Sequence, residues 1–176
     1  MNDDLPERTE DPYVLPGTGG VLRNKLGLDT WDALERAQAT RSFLRARQLV
    51  EEPIPGRLDL AHLQDVHHHL FKDVYDWAGE IRAWNPERAE AALDDASVAY
   101  PRWDDPDPAR RLDARLEAAF AELAEDDHLK GLETQPERFV ERLATHMTAV
   151  WQAHAFRDGN TRATSAFFRQ LIVEAG

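Results

Sequence analysis

The chain has no cysteine among its 176 residues. That excludes a disulfide framework, a thiolate zinc site and a Cys nucleophile. It also lacks surplus positive charge: 21 Lys and Arg stand against 33 Asp and Glu, a net charge of −12. A sequence-independent grip on nucleic acid works by displacing counterions with Lys and Arg, so no nucleic-acid partner is expected. A small anion in a local basic pocket, or a basic protein partner, stays open. No apolar run approaches the roughly 20 residues of a membrane helix, so no membrane partner is expected. The opening stretch "MNDDLPERTE" is acidic and polar, unlike a signal peptide. These absences lead to the expectation of a cytoplasmic protein.

What is present is enough apolar residue, 42%, for a real core. Residues 1–28 are rich in Pro, Gly and charge and read as an N-terminal arm ending in an apolar anchor, "VLRNKLGL". Residues 29–176 read as a single domain. A helix is expected from about Trp31 to Val50, with Asp29 or Thr30 as cap and Ala33, Ala37, Thr40 and Leu44 on one face. Asp59 can cap a second helix, whose stripe is Leu60, Leu63, His67, Leu70 and Val74. "GEIRAW" is short and strand-like. The irregular, proline-bearing run after it suggests a β-hairpin flap over about 81–104. Leu112, Leu116, Ala119 and Leu123 mark a third helix. Pro136 suits the first turn of a fourth, with Phe139, Leu143, Met147 and Val150 as its stripe. A last helix from about Thr161 to Ala175 carries Phe167, Phe168, Leu171 and Ile172. The fold class expected is an all-α helical bundle with one small β-hairpin flap.

The stretch "HAFRDGNTR" lies between the last two helices. His154 ends one helical stripe and could act as a general base. Asp158 is a hard oxygen ligand suited to Mg²⁺ bridging phosphates. Gly159 and Asn160 tolerate left-handed backbone, and loop amides followed by a helix N-terminus make an anion site. Arg162, in the first helical turn, can reach the same anion. Phe156 would turn inward and anchor the loop. From the residues alone, a phosphoryl or nucleotidyl transfer site and a plain polar link between helices both remain open. The run His67 to His69 cannot converge on one ion, because consecutive helical side chains point about 100° apart. His67 falls on the apolar stripe and reads as a core group or a support behind the site. His146 reads as packed near Met147. Arg82 reads as either a phosphate ligand or a surface ion partner.

The loop resembles the signature of the Fic family (filamentation induced by cAMP), His-x-Phe-x-Asp/Glu-Gly-Asn-x-Arg. "VLRNKLGL" and "DLAHLQDVHHHLFKDVYDWAGEIR" are similar to segments of small bacterial Fic toxins. The resemblance implies transfer of AMP from ATP to a hydroxyl side chain of a target protein. His154 would deprotonate that hydroxyl, Asp158 would hold Mg²⁺ at the α- and β-phosphates, and Gly159, Asn160 and Thr161 would line the anion hole. Arg162 would engage the terminal phosphate. Ile81, Arg82, Ala83, Trp84 and Asn85 would begin the flap that docks the target by strand addition. Two departures stand inside the loop region: Thr161 replaces the second glycine of the AMP-transferring pattern, and Ser165 replaces its second arginine. The alternatives they leave open are a non-catalytic Fic module that binds nucleotide or protein, and a Doc-like phosphotransferase. Self-inhibited members carry Ser/Thr-x-x-x-Glu-Gly/Asn, and no Glu in this chain precedes Gly or Asn. That absence suggests as partner a separate antitoxin supplying the glutamate, and the resemblance to the small toxins implies a type II topoisomerase subunit as target.

Overall fold

The computed structural model describes residues 11–82, 107, 111–132 and 134–176. Among these, the chain forms helices α1 (Trp31–Glu51), α2 (Leu60–Phe71), α3 (Leu112–Glu125), α4 (Pro136–Ala153) and α5 (Asn160–Ala175). A left-handed turn at Asp127–Leu129, with φ of 47°, 52° and 66°, follows α3. The only pairing of extended chain among the described residues is an isolated antiparallel bridge between Val14 and Leu22.

Helix α2 forms the centre, packed against α1 on one side and α5 on the other, while α3 and α4 pair and close the bundle. Its stripe is buried where the spacing places it, at Leu63, His67, Leu70 and Val74. Asp59 caps it by accepting the His62 N–H at 3.0 Å. Pro136 occupies the first turn of α4, where its missing N–H costs nothing. Leu112, Leu116, Ala119 and Leu123 of α3 are buried against Phe120, Phe167 and their neighbours. Residues 11–28 are tied to the bundle through the buried Val21 and Leu22 and through Lys25 N–H to the Val74 carbonyl. His146 is buried, and its partner is an acid. Its ring Nε2 lies 2.6 Å from the Asp126 carboxylate, which also accepts from Arg142.

Three expectations are corrected. On α1 the inward face is Leu34, Gln38, Ser42 and Leu49, and Thr40 and Leu44 point to solvent. The apolar stripe misleads there because the inner face carries two polar side chains that have partners inside. Ile172 is 39% exposed, since α5 buries only the Phe167, Phe168 and Leu171 side. Ile81 and Arg82 belong to no strand. The remaining expected flap positions, Ala83, Trp84 and Asn85 included, lie outside the described residues, as do residues 1–10.

Capping by Asp59 gives a direct test. Its carboxyl is held below the ordinary range, chiefly by the His62 N–H. Asp59→Ala should cost about 1 kcal/mol in a urea titration at pH 7, the usual worth of a cap. The depressed pKa makes this contribution present at neutral pH and lost as pH falls through the folded-state value, so wild type and variant should converge in acid.

Candidate active site

The site grows from the end of α4. His154 caps that helix in the left-handed region, φ 51°, which costs a non-glycine residue about 1 kcal/mol or more. Arg82 holds this turn from below. It is 1% exposed, its Nε donates to the His154 carbonyl at 2.7 Å and its backbone N–H donates to the Ala155 carbonyl at 2.9 Å. The structure thus buries Arg82 as a brace under the catalytic candidate, away from the surface role considered for it.

Beyond His154 the chain dives inward and returns. Phe156 is buried, and the Asn160 side chain spans the loop behind it: Oδ1 accepts the Phe156 N–H at 2.8 Å and Nδ2 donates to the Phe156 carbonyl at 2.7 Å. Both ends of the Asn160 amide are therefore committed to the loop, and what it offers an anion is its main-chain N–H. Phe156 stacks on His67, ring centroids 3.8 Å apart. His67 Nε2 donates to the Asp158 carbonyl at 3.0 Å and Nδ1 accepts the Gly79 N–H at 2.8 Å. Those two bonds fit only the neutral ring protonated at Nε2, in keeping with burial pushing His67 down to about 4.

Gly159 follows at φ 80°, and a Cβ there would run into the Phe71 ring. Glycine is required twice over, by conformation and by space. Helix α5 then begins with no side-chain cap. Its first amides, Asn160 to Arg162, have no carbonyl one turn back, which is the state in which helix N-termini bind anions. Arg162 lies 4.8 Å over the Phe71 ring and donates to Ser42 Oγ at 2.9 Å. Thr161 is exposed at the rim, and its Oγ1 accepts from the Trp151 indole at 3.3 Å. That contact turns the hydroxyl towards α4.

Asp158 lies in the middle. Oδ1 accepts the Gly159 N–H at 2.7 Å, and Oδ2 accepts from Gln38 Nε2 at 2.6 Å and from the Tyr75 hydroxyl at 3.4 Å. All three donors are neutral, and among the described residues Asp158 makes no ion pair. Its charge is held in place without being cancelled, which suits a hard divalent cation. Among those residues no cluster of three His, Cys, Asp or Glu could hold a metal alone. A cation here would share Asp158 with substrate oxygens, as Mg²⁺ commonly does with phosphates. Burial pushes His154 down to about 4, the Arg82 charge acting in the same direction and Asp158 opposing it. A neutral imidazole at pH 7 can accept a proton.

The loop thus places His154, Phe156, Asp158, Gly159, Asn160, Thr161 and Arg162 around one turn. It adds Gln38, Ser42, Tyr75 and Phe71, which the motif does not contain.

The sequence profile of the Fic/DOC family matches residues 57–172. The chain belongs to the Fic/DOC family. It is similar to the protein adenylyltransferase VbhT of Bartonella schoenbuchensis, 32% identical over 97% of this chain but only 32% of that protein's length. It is also similar to the probable protein adenylyltransferase Fic of Escherichia coli K12, 31% identical over all of this chain and 78% of that one. Among solved structures, the BepC effector of Bartonella tribocorum with bound AMPPNP aligns with a TM-score of 0.76 at 28% identity, covering 93% of this chain and 78% of that one. No helix among the described residues is long and apolar enough to cross a membrane.

Two measurements test this Fic loop. Gly159→Ala should lose about 2–4 kcal/mol in denaturant, combining positive-φ strain with overpacking. Part of that loss should return in Gly159→Ala/Phe71→Leu, since the two positions share one contact. The second concerns acid. His67 and His154 bind protons less readily folded, near 4, than unfolded, near 6.5. The unfolded chain therefore holds more protons between those values, and stability should fall as pH drops from 6.5 to 4. His154→Asn, which keeps a residue tolerant of the left-handed turn, should flatten that slope by up to about 1.4 kcal/mol per pH unit.

Proposed function

We propose that this chain is a protein adenylyltransferase, moving AMP from ATP to a hydroxyl side chain of a target protein. The observation that carries the reading is the convergence in one loop of a neutral His154, the uncapped N-terminus of α5 and Asp158, which makes no ion pair among the described residues and whose hydrogen-bond donors are neutral. The names of the relatives and the AMPPNP bound to BepC support the same chemistry.

In this reading ATP lies with its phosphates across the first turn of α5. The target hydroxyl gives its proton to His154, and its oxygen attacks the α-phosphorus. The bond from the α-phosphorus to the bridging oxygen breaks, and pyrophosphate leaves. Amides of the α5 first turn meet the charge that develops on the phosphate oxygens. Arg162 engages the terminal phosphate, with Ser42 and the Phe71 ring fixing its direction. Asp158 would hold Mg²⁺, which would supply neutralising charge to the substrate's phosphates. Arg82 keeps the His154 backbone turned so that the ring faces the incoming hydroxyl.

The reading extends to regulation. A separate antitoxin would supply an inhibitory glutamate, making this chain the toxin of a pair. A hollow of about 390 Å³ between α1 and α5 has a mostly apolar wall, Phe43, Leu49 and Val50 included, and reaches Arg162 at one end, so an apolar partner segment seated there could bring its glutamate to Arg162. A type II topoisomerase subunit is the first target to try.

The test is labelling. With α-³²P-ATP and lysate or purified target, wild type should label a protein, and His154→Ala should drop the signal by at least about 100-fold, the usual worth of a general base. Because His154 stays neutral down to about 4, labelling should persist from pH 7 to pH 5. Label from the γ- but not the α-phosphate would assign the chain to Doc-like phosphate transfer. ATP binding with no label from either would make it a binding module. Ser165→Arg should raise labelling by about tenfold, the worth of one charge-assisted hydrogen bond to phosphate. Thr161→Gly should do less, because the Thr161 hydroxyl is engaged with Trp151.

A further inference from the structure

Helix α1 lies wholly outside residues 57–172, the span matched by the family profile. Yet it delivers two polar side chains into the loop. Gln38 and Ser42 are four residues apart, so they share one face of α1 a single turn apart. Asp158 and Arg162 are likewise four apart. The result is two parallel rungs: Gln38 Nε2 to Asp158 Oδ2 at 2.6 Å, and Arg162 Nη1 to Ser42 Oγ at 2.9 Å. Both α1 side chains are buried, at 6% and 3% exposure. A buried amide and a buried hydroxyl on the inner face of a helix cost stability unless they are bonded, so their partners explain their presence.

The Gln38 rung has a specific chemical consequence. Only the amide nitrogen can face a carboxylate, since the amide oxygen would meet it lone pair to lone pair. The donor therefore fixes the rotation of the Asp158 carboxylate while leaving its charge intact. Lys or Arg at 38 would compete with a divalent cation for that charge. An apolar residue would let the carboxylate turn, leaving, among the described residues, the Gly159 amide and the longer Tyr75 contact to orient it. Groups that hydrogen-bond a metal-binding carboxylate tune its affinity although they never touch the ion.

We infer that Gln38 is a positioning residue for divalent-cation capture by Asp158, while Ser42 acts separately on the arginine that meets the terminal phosphate. The inference rests on the reading of Asp158 as the Mg²⁺ carboxylate.

The test uses calorimetric titration of AMPPNP into the full chain, with and without Mg²⁺, and reads the factor by which Mg²⁺ tightens binding. Gln38→Met keeps the length and helix preference of the side chain but removes the donor. It should lower that factor by about tenfold, or to one if the wild-type factor is smaller, with Mg²⁺-free binding unchanged. Ser42→Ala should weaken AMPPNP equally in both conditions and leave the factor at its wild-type value. Gln38→Asn, which keeps an amide but withdraws it by one methylene, repeats the comparison with the least disturbance to the fold. The inference is overturned if Asp158→Asn abolishes the Mg²⁺ factor while both Gln38 variants retain it, or if they weaken both conditions alike, as a packing role would. If Asp158→Asn itself keeps the wild-type factor, the metal reading of Asp158 fails and the inference goes with it.

Discussion

The site depends on the Asn160 side chain bonding both polar groups of the Phe156 main chain. Those two bonds close the loop on itself and force Phe156 into the core. There it meets the His67 ring, and His67 in turn holds the Asp158 carbonyl. With that carbonyl fixed, Gly159 is pressed to the edge of Phe71 and α5 can start only in one direction. The amides, Asp158 and Arg162 all take their aim from this arrangement. A side chain whose place in the motif suggests ligand contact serves first as the fastening of the loop.

Holding His154 half-buried in this turn works against folding. Burial makes two imidazoles unwilling to take a proton, and His154 accepts a left-handed backbone that few residues adopt readily. Against these costs stands aromatic packing around His67, where Phe71, Trp77 and Phe156 surround one ring, and the stacking of Tyr75 on Trp77 at 4.2 Å. The same packing supplies the Phe71 face under the Arg162 guanidinium. Core and site are therefore one aromatic cluster serving two ends.

The loop was legible in the sequence because its chemistry is local: His154 to Arg162 is nine residues, and each type has a physical reason at its position. The helices were legible where their inner faces are apolar, as on α2 and α3. On α1 the apolar spacing points to the wrong face for the opposite reason. Its inner side carries Gln38 and Ser42, whose partners lie 120 residues away, a separation that periodicity cannot see. Polar residues recurring at helical spacing opposite the expected stripe were the available signal. Arg82 was undecided because nothing local distinguishes a buried brace from a surface charge. Only the approach of the α4 end, 72 residues on, decides it.

The two α1 rungs also bear on where the functional unit begins. A fragment cut to the stretch matched by the family profile, 57–172, would keep every residue of the signature and still lack the wall behind it. Asp158 would exchange an oriented amide for water, and Arg162 would lose the hydroxyl that aims it. The motif is contiguous in the chain, but the working module is a sandwich whose outer slice is encoded before the motif's own domain core starts.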